Sequence, residues 1–503
     1  MKKIKTILSA VLASAAILSL TACDEEVPVS SGSSSNAPGG GTTAPATTIQ
    51  TTTYERDEDV ISAVEGITDQ LDNPDLKVTK RIKWLAWGNW EQDETSPAGE
   101  LFKKTYGIPE TGDDPTREGR IFDFYTVPYG DRYTKLASMI TADESPDLFP
   151  FEALDFPYGV LQRKYQPIDE IINLDSPKWA ASKDLMELYK LNGRYYCAFY
   201  SIAMQNLMFY KKSNIENIGA ENPRELFDAG KWDWDAFLEI SRKWQQSGDD
   251  KYCLDGYNPE NEIVISTGVP MVGNDGTKLY SNLHSTELEK AIGLLQTLQQ
   301  ENLRYPRHEK NNWQVNPYEW GNDNVLFYAN GGTWIFEEMG SECLGKTIKK
   351  MDLYDDIECV PMPKAPFADK YYTTLKQDAM MWCVGSKNPE GVAAWIDCCV
   401  TASQDPEVRA ASKKQQKERF NWSDYNLDFI YSLTALDGTS PVTPIADFKG
   451  GLGTVSDGSS TRNPIQSLTN MVYLAGESFT ELRATHEAQI LDAIDQINSA
   501  IKS

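Results

Sequence analysis

The spacing of apolar residues after residue 80 predicts strands that alternate with helices. Ile82 and Trp84 begin a series with an apolar residue at every second position, which is typical of a strand within 81–90. A second apolar run predicts a strand at 121–127. Residues 129–142 instead carry apolar side chains at steps of three and four, which predicts an amphipathic helix.

The same pattern continues along the chain without an internal repeat. Residues 145–149 predict a turn that enters a third strand, so strands and helices alternate and favour a mostly parallel sheet. Asp233 and Asn388 are expected N-caps of two later helices. The later helices are predicted at 234–244, 287–301, 389–400 and 485–501. The α/β body from residue 81 to residue 503 is too large for one core.

The N-terminus has the pattern of an export signal. Three lysines within the first five residues precede an apolar run at 7–20, which is too short to span a bilayer. The run ends in Leu-Thr-Ala before Cys23, a sequence similar to a bacterial lipobox. We therefore predict a signal peptide at 1–22 and a lipid on Cys23, with an ordinary signal peptide as the alternative.

Residues 23–53 are predicted to form a tether. They consist largely of Ser, Thr, Gly, Pro and Ala, and such a segment buries too little apolar surface to offset its ordering entropy. A short N-terminal extension follows at 54–80, where Val60, Val64 and Ile67 predict an amphipathic helix. We expect the protein to work on the outer face of the cytoplasmic membrane, held only by its lipid.

Composition narrows the function classes. The 503 residues carry a formal charge of -26, which argues against a nucleic-acid partner. Three histidines, and cysteines without a CxxC pair, leave little basis for a metal or disulfide framework. We expect no cofactor, no metal and no catalytic residue. Residues 340–347 match the Walker A pattern, but a predicted helix precedes them and Glu342 would repel phosphate, so we interpret them as a surface turn.

Several segments in a fixed order resemble a known family. These are the Trp-rich first strand, Asp131 to Leu136, Ser145-Pro146-Asp147, Asn192 to Tyr196, Leu207 to Lys212, the helix start at Trp232 to Phe237, Asn330 to Trp334, Gly385 to Pro389 and Ala393-Ala394-Trp395. Together they resemble sugar-binding solute-binding proteins of bacterial ABC importers, the type related to maltose-binding protein. The resemblance covers residues 81–503.

The resemblance implies an α/β, two-lobed periplasmic-binding-protein-like fold of type II. Crossover strands join the lobes, and the ligand binds in a cleft between them. We expect a first lobe from 81–199 and 378–436, and a second lobe from 200–377 and 437–503. The crossings are expected near 197–201, 373–378 and 436–442. Ligand binding would favour a closed form that docks on a permease.

Candidate ligand residues combine aromatic platforms with hydrogen-bonding side chains. A sugar ring offers apolar C–H faces and hydroxyls, so both types are needed, and the ends of strands are their expected places. Lys376, Gln377 and Asp378 occupy a crossing where family members often have small residues. The predicted ligand-binding residues are Trp87, Asn89, Glu152, Asp155, Tyr200, Ser201, Gln205, Tyr257, Glu260, Trp313, Trp334, Gln377 and Asp378.

The resemblance predicts a monomeric receptor that delivers a carbohydrate, expected to be an oligosaccharide, to an ABC permease. Two other functions stay open at this stage. A secreted glycoside hydrolase needs only two suitably spaced carboxylates, which a sequence does not reveal. A carbohydrate-binding surface adhesin would use the tether equally well.

Overall fold

The structure is a computed structural model that describes residues 58–87, 91–330, 355–420, 423–455 and 463–501. The predicted signal peptide, Cys23, the tether and the Walker-like segment lie outside the described residues. Side chains at 91–92, 376–378, 416, 419–420, 454 and 501 are also outside the description.

Two larger sheets and two small ones contain the described strands. The strands are, in chain order, β1 Ile82–Ala86, β2 Phe122–Thr126, β3 Leu148–Pro150, β4 Cys197–Met204, β5 Leu207–Lys211, β6 Tyr252–Gly256, β7 Val272–Asn274, β8 Leu279–Ser281, β9 Val325–Asn330, β10 Ile357–Val360, β11 Tyr371–Thr373, β12 Leu375–Trp382 and β13 Val442–Pro444. The first three confirm the strands predicted from the apolar pattern.

The sheets are mixed, which corrects the expectation of a mostly parallel sheet. The five-stranded sheet has the order β2-β1-β3-β12-β4, with β1 parallel to β2 and β3 but β12 antiparallel to β3 and β4. The four-stranded sheet has the order β10-β5-β9-β6, with only β6 and β9 parallel. β12 enters the five-stranded sheet late in the chain, after β11 of a separate two-stranded sheet, and runs opposite to its neighbours, which local alternation does not reveal.

Helices surround both sheets. The α-helices are α1 Glu58–Glu65, α2 Pro97–Tyr106, α3 Arg132–Thr141, α4 Tyr158–Leu161, α5 Ala180–Glu187, α6 Lys212–Asn217, α7 Pro223–Asp228, α8 Trp234–Gln246, α9 Pro259–Ile265, α10 Thr286–Gln300, α11 Arg307–Lys310, α12 Pro317–Gly321, α13 Pro389–Gln404, α14 Pro406–Phe420, α15 Asp424–Leu433, α16 Ser467–Asn470 and α17 Phe479–Ile501. A π-helical turn, Met471–Ala475, follows α16.

Side-chain caps explain where several helices begin. Asp233 accepts a hydrogen bond from the amide of Ala236, and Asn388 accepts one from the amide of Gly391, which confirms both predicted caps. Ser285 caps α10 in the same way. None of the helices within the described ranges is long and apolar enough to cross a membrane.

The chain passes directly from the five-stranded sheet to the four-stranded sheet between β4 and β5. It comes back from β10 of the four-stranded sheet to β12 of the five-stranded sheet by way of β11. β11 pairs in parallel with β13 in a separate two-stranded sheet, and the third crossing that the sequence places near 436–442 stays a prediction. The five-stranded sheet keeps β4 as far as Met204 and takes up β12 from Leu375. The lobe boundaries given by the sequence stay predictions.

Buried cysteines behave as small core residues. Cys398 and Cys399 are buried on α13, and the other four cysteines within the described ranges are also buried and free. The extension at 58–80 belongs to the folded body, because Val60 and Val64 are buried and α1 packs on α2 and α14.

Candidate functional site

Trp87 lies at the carboxyl end of β1, where the sequence places it. Its half-buried ring contacts the rings of Tyr129 and Phe149, with centroids 5.8 and 5.6 Å away. The guanidinium of Arg132 lies 5.3 Å from the centre of the same ring. The first strand therefore ends in an aromatic group that is held by its neighbours and has one cation against it.

Glu152 follows β3 and is engaged by two neighbours. Arg132 donates from Nε to Oε2 of Glu152 over 2.7 Å, and the Tyr133 hydroxyl donates to the same oxygen. Burial raises the pKa of Glu152, and the charge of Arg132 opposes that rise. The carboxylate of Glu152 is thus compensated within the protein.

Asp155 is compensated in the same manner. It is 5% exposed, and its two oxygens accept from Lys164 Nζ at 2.9 Å and from the Tyr165 hydroxyl at 2.8 Å. Burial raises its pKa, and Lys164 counteracts this. The carboxylates of Glu152 and Asp155 are therefore each paired with a cation of the protein itself.

The crossing strands carry the next group of candidates. Tyr200 and Ser201 are both buried in β4, and because successive strand residues point to opposite faces, at most one of them faces a given side of the sheet. Ser201 pairs with Asp378 across β12, beside an irregularity at Asp378 and Ala379. Gln205 is exposed between β4 and β5, and its amide donates to the carbonyl of Thr374 at 3.4 Å.

Tyr257 and Glu260 lie just after β6 in the four-stranded sheet. Asn258, in the left-handed conformation with φ 49°, turns the chain into α9 and places Glu260 in the first turn of that helix. Glu260 is 3% exposed, and its Oε2 has no hydrogen-bond partner in the part of the chain that the structure describes. Burial raises the pKa of Glu260, and the charge of Arg307 opposes it.

Trp313 adds an aromatic ring to the candidates beyond β6 of the four-stranded sheet. Its φ of 71° is rare for a bulky residue, and its amide donates to the carbonyl of Arg307 at 3.1 Å. The half-buried indole lies against the ring of His308, with centroids 5.2 Å apart. Arg307 also binds Asp255 at 2.6 Å, so one buried arginine organises the turn after β6 and the loop that carries Trp313.

The structure thus brings the described candidates into three groups rather than one. Trp87, Glu152 and Asp155 lie after strands of the five-stranded sheet, and Tyr257, Glu260 and Trp313 lie beyond β6 of the four-stranded sheet. Tyr200, Ser201 and Gln205 lie at the crossings between the sheets. Asn89 and Trp334 fall outside the described residues, as do the side chains of Gln377 and Asp378. The assignment of these residues to a ligand stays a prediction.

Sequence reasoning missed Asn206, next to Gln205 at the first crossing. Asn206 is 2% exposed, and its Oδ1 has no hydrogen-bond partner among the residues with described positions. A polar residue directly before the apolar run of β5 is the signal that was available. Across the described ranges, no group of three or more His, Cys, Asp or Glu side chains is arranged to hold a metal ion.

A sequence model of bacterial extracellular solute-binding proteins matches residues 122–413, which is more than half of the chain. The chain belongs to this family. This confirms the resemblance seen in the sequence, and it makes the protein an extracellular solute-binding protein. A comparison with curated proteins gives no match.

Solved structures of other solute-binding proteins share the fold. The sugar-binding protein MalE from Xanthomonas citri is 15% identical with a TM-score of 0.55, and the match covers 84% of this chain and 98% of that one. The galacto-N-biose-/lacto-N-biose I-binding protein from Bifidobacterium longum, solved with lacto-N-biose, is 11% identical with a TM-score of 0.55 and the same coverages.

A third similar structure is the cyclic alpha-maltosyl-1,6-maltose binding protein from Arthrobacter globiformis, with 14% identity, a TM-score of 0.52 and coverage of 84% of this chain and 99% of that one. The predicted two-lobed α/β fold is confirmed. For this solute-binding protein we call the part built on the five-stranded sheet the first lobe, and the part built on the four-stranded sheet the second lobe.

Proposed function

We propose that this solute-binding protein captures a carbohydrate, expected to be an oligosaccharide, between its two lobes and delivers it to the permease of an ABC importer. The similar structures named above come from sugar-binding proteins, which supports this ligand class. The second lobe supplies the observation that carries the proposal. Oε2 of Glu260 is buried and has no hydrogen-bond partner among the residues that the structure describes, and half-buried Trp313 lies beyond the same strand, β6.

That combination suits a sugar. A pyranose hydroxyl would donate to Oε2 of Glu260, and the C–H face of the ring would pack on an indole. The first lobe offers Trp87 beside the Arg132–Glu152 ion pair, where charge is already balanced. A neutral, hydroxyl-rich ligand meets both requirements, because its hydroxyls donate to Glu260 and it adds no charge beside the balanced Arg132–Glu152 pair.

The proposed ligand site combines residues of both lobes and the crossings between them. It contains Trp87, Asn89, Glu152, Asp155, Tyr200, Ser201, Gln205, Tyr257, Glu260, Trp313, Trp334, Gln377 and Asp378. We assign no catalytic residue, cofactor or metal to it. The family is one of binding proteins, and we propose that this member releases its ligand chemically unchanged.

We also propose that a lipid on Cys23 holds the protein at the outer face of the cytoplasmic membrane. The apolar run before Cys23 and the Ser/Thr/Gly-rich segment after it support this anchor. The protein would act there as a monomer that presents its closed, loaded form to the membrane subunits of the importer.

Calorimetry with a panel of oligosaccharides, including lacto-N-biose and β-1,6-galactobiose, tests the function. We expect saturable one-to-one binding by at least one member, thermal stabilisation that increases with ligand concentration, and no new reducing ends. Release of reducing ends over time would instead establish a hydrolase. Binding only to an immobilised polymer, and to no short sugar, would favour an adhesin.

A further inference from the structure

Three connections of the chain meet at two consecutive residues, Thr373 and Thr374: the turn after β4, the passage from β11 to β12, and the segment after β13. The amide of Gln205, in the first connection, donates to the carbonyl of Thr374 at 3.4 Å. The amide of Ile445, in the third, donates to the carbonyl of Thr373 at 2.9 Å. Thr373 is the last residue of β11, and Thr374 lies between β11 and β12, in the second connection. We call Thr373 and Thr374 the crossing node.

One side chain of the second lobe holds this node. Glu262 of α9 is fully buried, and it accepts from the Thr374 amide at 3.2 Å and from the Thr373 hydroxyl at 3.2 Å. Its other carboxylate oxygen accepts from the Thr374 hydroxyl. Three donors from two adjacent residues converge on one carboxylate, so α9 and the node are joined more tightly than apolar packing alone would join them.

We infer that Glu262 is a positioning residue for lobe closure, because it ties α9 of the second lobe to the node where the three connections meet. The inference rests on the proposed function in one respect, namely that closure of the two lobes captures the ligand. When the crossings change direction, α9 has to follow the node, and α9 carries Glu260 into or away from the site. Glu262 would thereby couple the hinge to the group that we propose receives the ligand.

The charge of Glu262 gives this coupling a signature that a purely structural contact lacks. Burial raises its pKa to about 7, and its three hydrogen bonds and the charge of Lys449 oppose the rise. Below this pKa the buried carboxyl group is neutral, and above it a charge stands in the interior and favours entry of water. We therefore expect the contact with the node to loosen as the pH rises through neutrality.

Lys449 acts on Glu262 through its charge. Lys449 lowers the pKa of Glu260 and of Asp447 as well as that of Glu262, so these four groups form one electrostatic cluster. Helix α10, helix α16 and strand β11 pack against α9. The titratable or charged side chains on those three elements are Glu287, Glu289 and Lys290 at the start of α10, and Tyr371 and Tyr372 on β11, while α16 has none.

Hydrogen exchange on the ligand-free full chain tests the inference at the amides of Gln205, Thr374 and Ile445. Glu262→Ala should speed their exchange about tenfold, after correction for intrinsic rates. Glu262→Gln, which keeps the shape but not the charge, should keep exchange slow. In the wild type the exchange should rise between about pH 6 and about pH 8, and in Glu262→Gln it should be independent of pH.

The matched control is Glu358→Ala, which removes another buried carboxylate of the second lobe, bound to Tyr210 and Asn222 at 2.8 Å each. Glu358→Ala should leave the exchange rates of the amides of Gln205, Thr374 and Ile445 unchanged. Equal acceleration in both alanine variants, or unchanged exchange in Glu262→Ala, overturns the inference. If Glu262→Ala fails to fold, Thr374→Val replaces it as the test, because this change removes one donor to Glu262. Thr374→Val should speed the exchange of the same amides. Unchanged exchange in Thr374→Val also overturns the inference. Because no sugar is added, these outcomes are independent of whether a carbohydrate binds.

Discussion

At the scale of single residues, Trp313 joins an unusual backbone conformation to a half-buried ring. Its φ of 71° places a bulky side chain in the left-handed region, a conformation that costs energy and that occurs most often at functional sites. The contact with the Arg307 carbonyl holds it there. These features favour a role in binding over a role in the core.

Trp313→Ala is therefore expected to weaken carbohydrate binding about tenfold to a hundredfold, which corresponds to about 1.4 to 3 kcal/mol. The reason is the loss of an aromatic platform for the sugar ring. Calorimetry with a sugar that binds the wild type measures the change in affinity. Tyr280→Ala, at an exposed aromatic residue of β8, serves as the control and should bind normally. Equal affinity of the Trp313 variant and the control would remove Trp313 from the site.

The burial of Glu262 predicts that the free energy of unfolding depends on pH. The folded-state pKa of Glu262, about 7, is above its ordinary value of 4.5, so the folded protein binds the proton more tightly than the unfolded chain does. The stability that this provides is complete below pH 4.5 and is lost as the pH rises through 7. The loss amounts to at most about 3 kcal/mol.

Glu262→Gln removes this titration. We expect the difference in the free energy of unfolding, wild type minus Glu262→Gln, to fall between about pH 5 and about pH 8. Urea unfolding of both proteins across that range measures the difference. Buried carboxylates outside the cluster of Glu260, Glu262, Asp447 and Lys449 affect both proteins alike and cancel in the comparison. A difference that is independent of pH would show that Glu262 does not titrate there.

At the scale of elements, the segment after β13 packs closely on the loop after β3. Phe448 lies against Tyr189 and Phe156, with ring centroids 5.5 and 6.2 Å apart. A Cβ on Gly450 would lie 3.1 Å from the carbonyl oxygen of Ala153, and one on Gly451 would overlap the carbonyl oxygen of Phe156. Only glycine allows the two backbones to approach this closely at Gly451.

Gly451→Ala is expected to destabilise the protein by about 1 to 3 kcal/mol, because one of the two backbones has to move. Thermal or urea unfolding measures the change. Gly130→Ala is the control, since a Cβ at that position meets nothing within 4 Å, and its effect should stay within about 0.5 kcal/mol. If the two variants were equally stable, the segment after β13 would not be packed as closely as described.

At the scale of the whole molecule, two lobes that are joined by adjacent backbone connections are expected to rotate about those connections. Thr373 and Thr374 are the point where those connections meet, and the proposed ligand residues lie on both lobes. Binding between the lobes should stabilise a closed arrangement that the free protein adopts less often.

Small-angle scattering should therefore show a smaller radius of gyration when a sugar with proven one-to-one binding is added. The same measurement with a sugar that gives no calorimetric signal is the control and should show no change. A proven ligand that leaves the radius of gyration unaltered would contradict the hinge account, although not the binding itself.

The sequence by itself determined the local elements and the family. Apolar periodicity located β1, β2 and β3, and the capping residues Asp233 and Asn388 marked where two helices begin, because both signals depend on neighbours along the chain. The order of short segments predicted the two-lobed fold, and the family match confirmed it.

Only the tertiary structure decided which partners meet. The antiparallel insertion of β12 beside β3 and the hydrogen bond from Thr373 to Glu262 join residues far apart in sequence. The ion pairs of Glu152 and Asp155 join residues 20 and 9 positions apart. Glu262 and Thr374 are separated by 112 positions, and no local pattern announces their contact. Periodicity and capping report the environment of a residue within one or two turns, whereas burial and charge pairing depend on packing between distant segments.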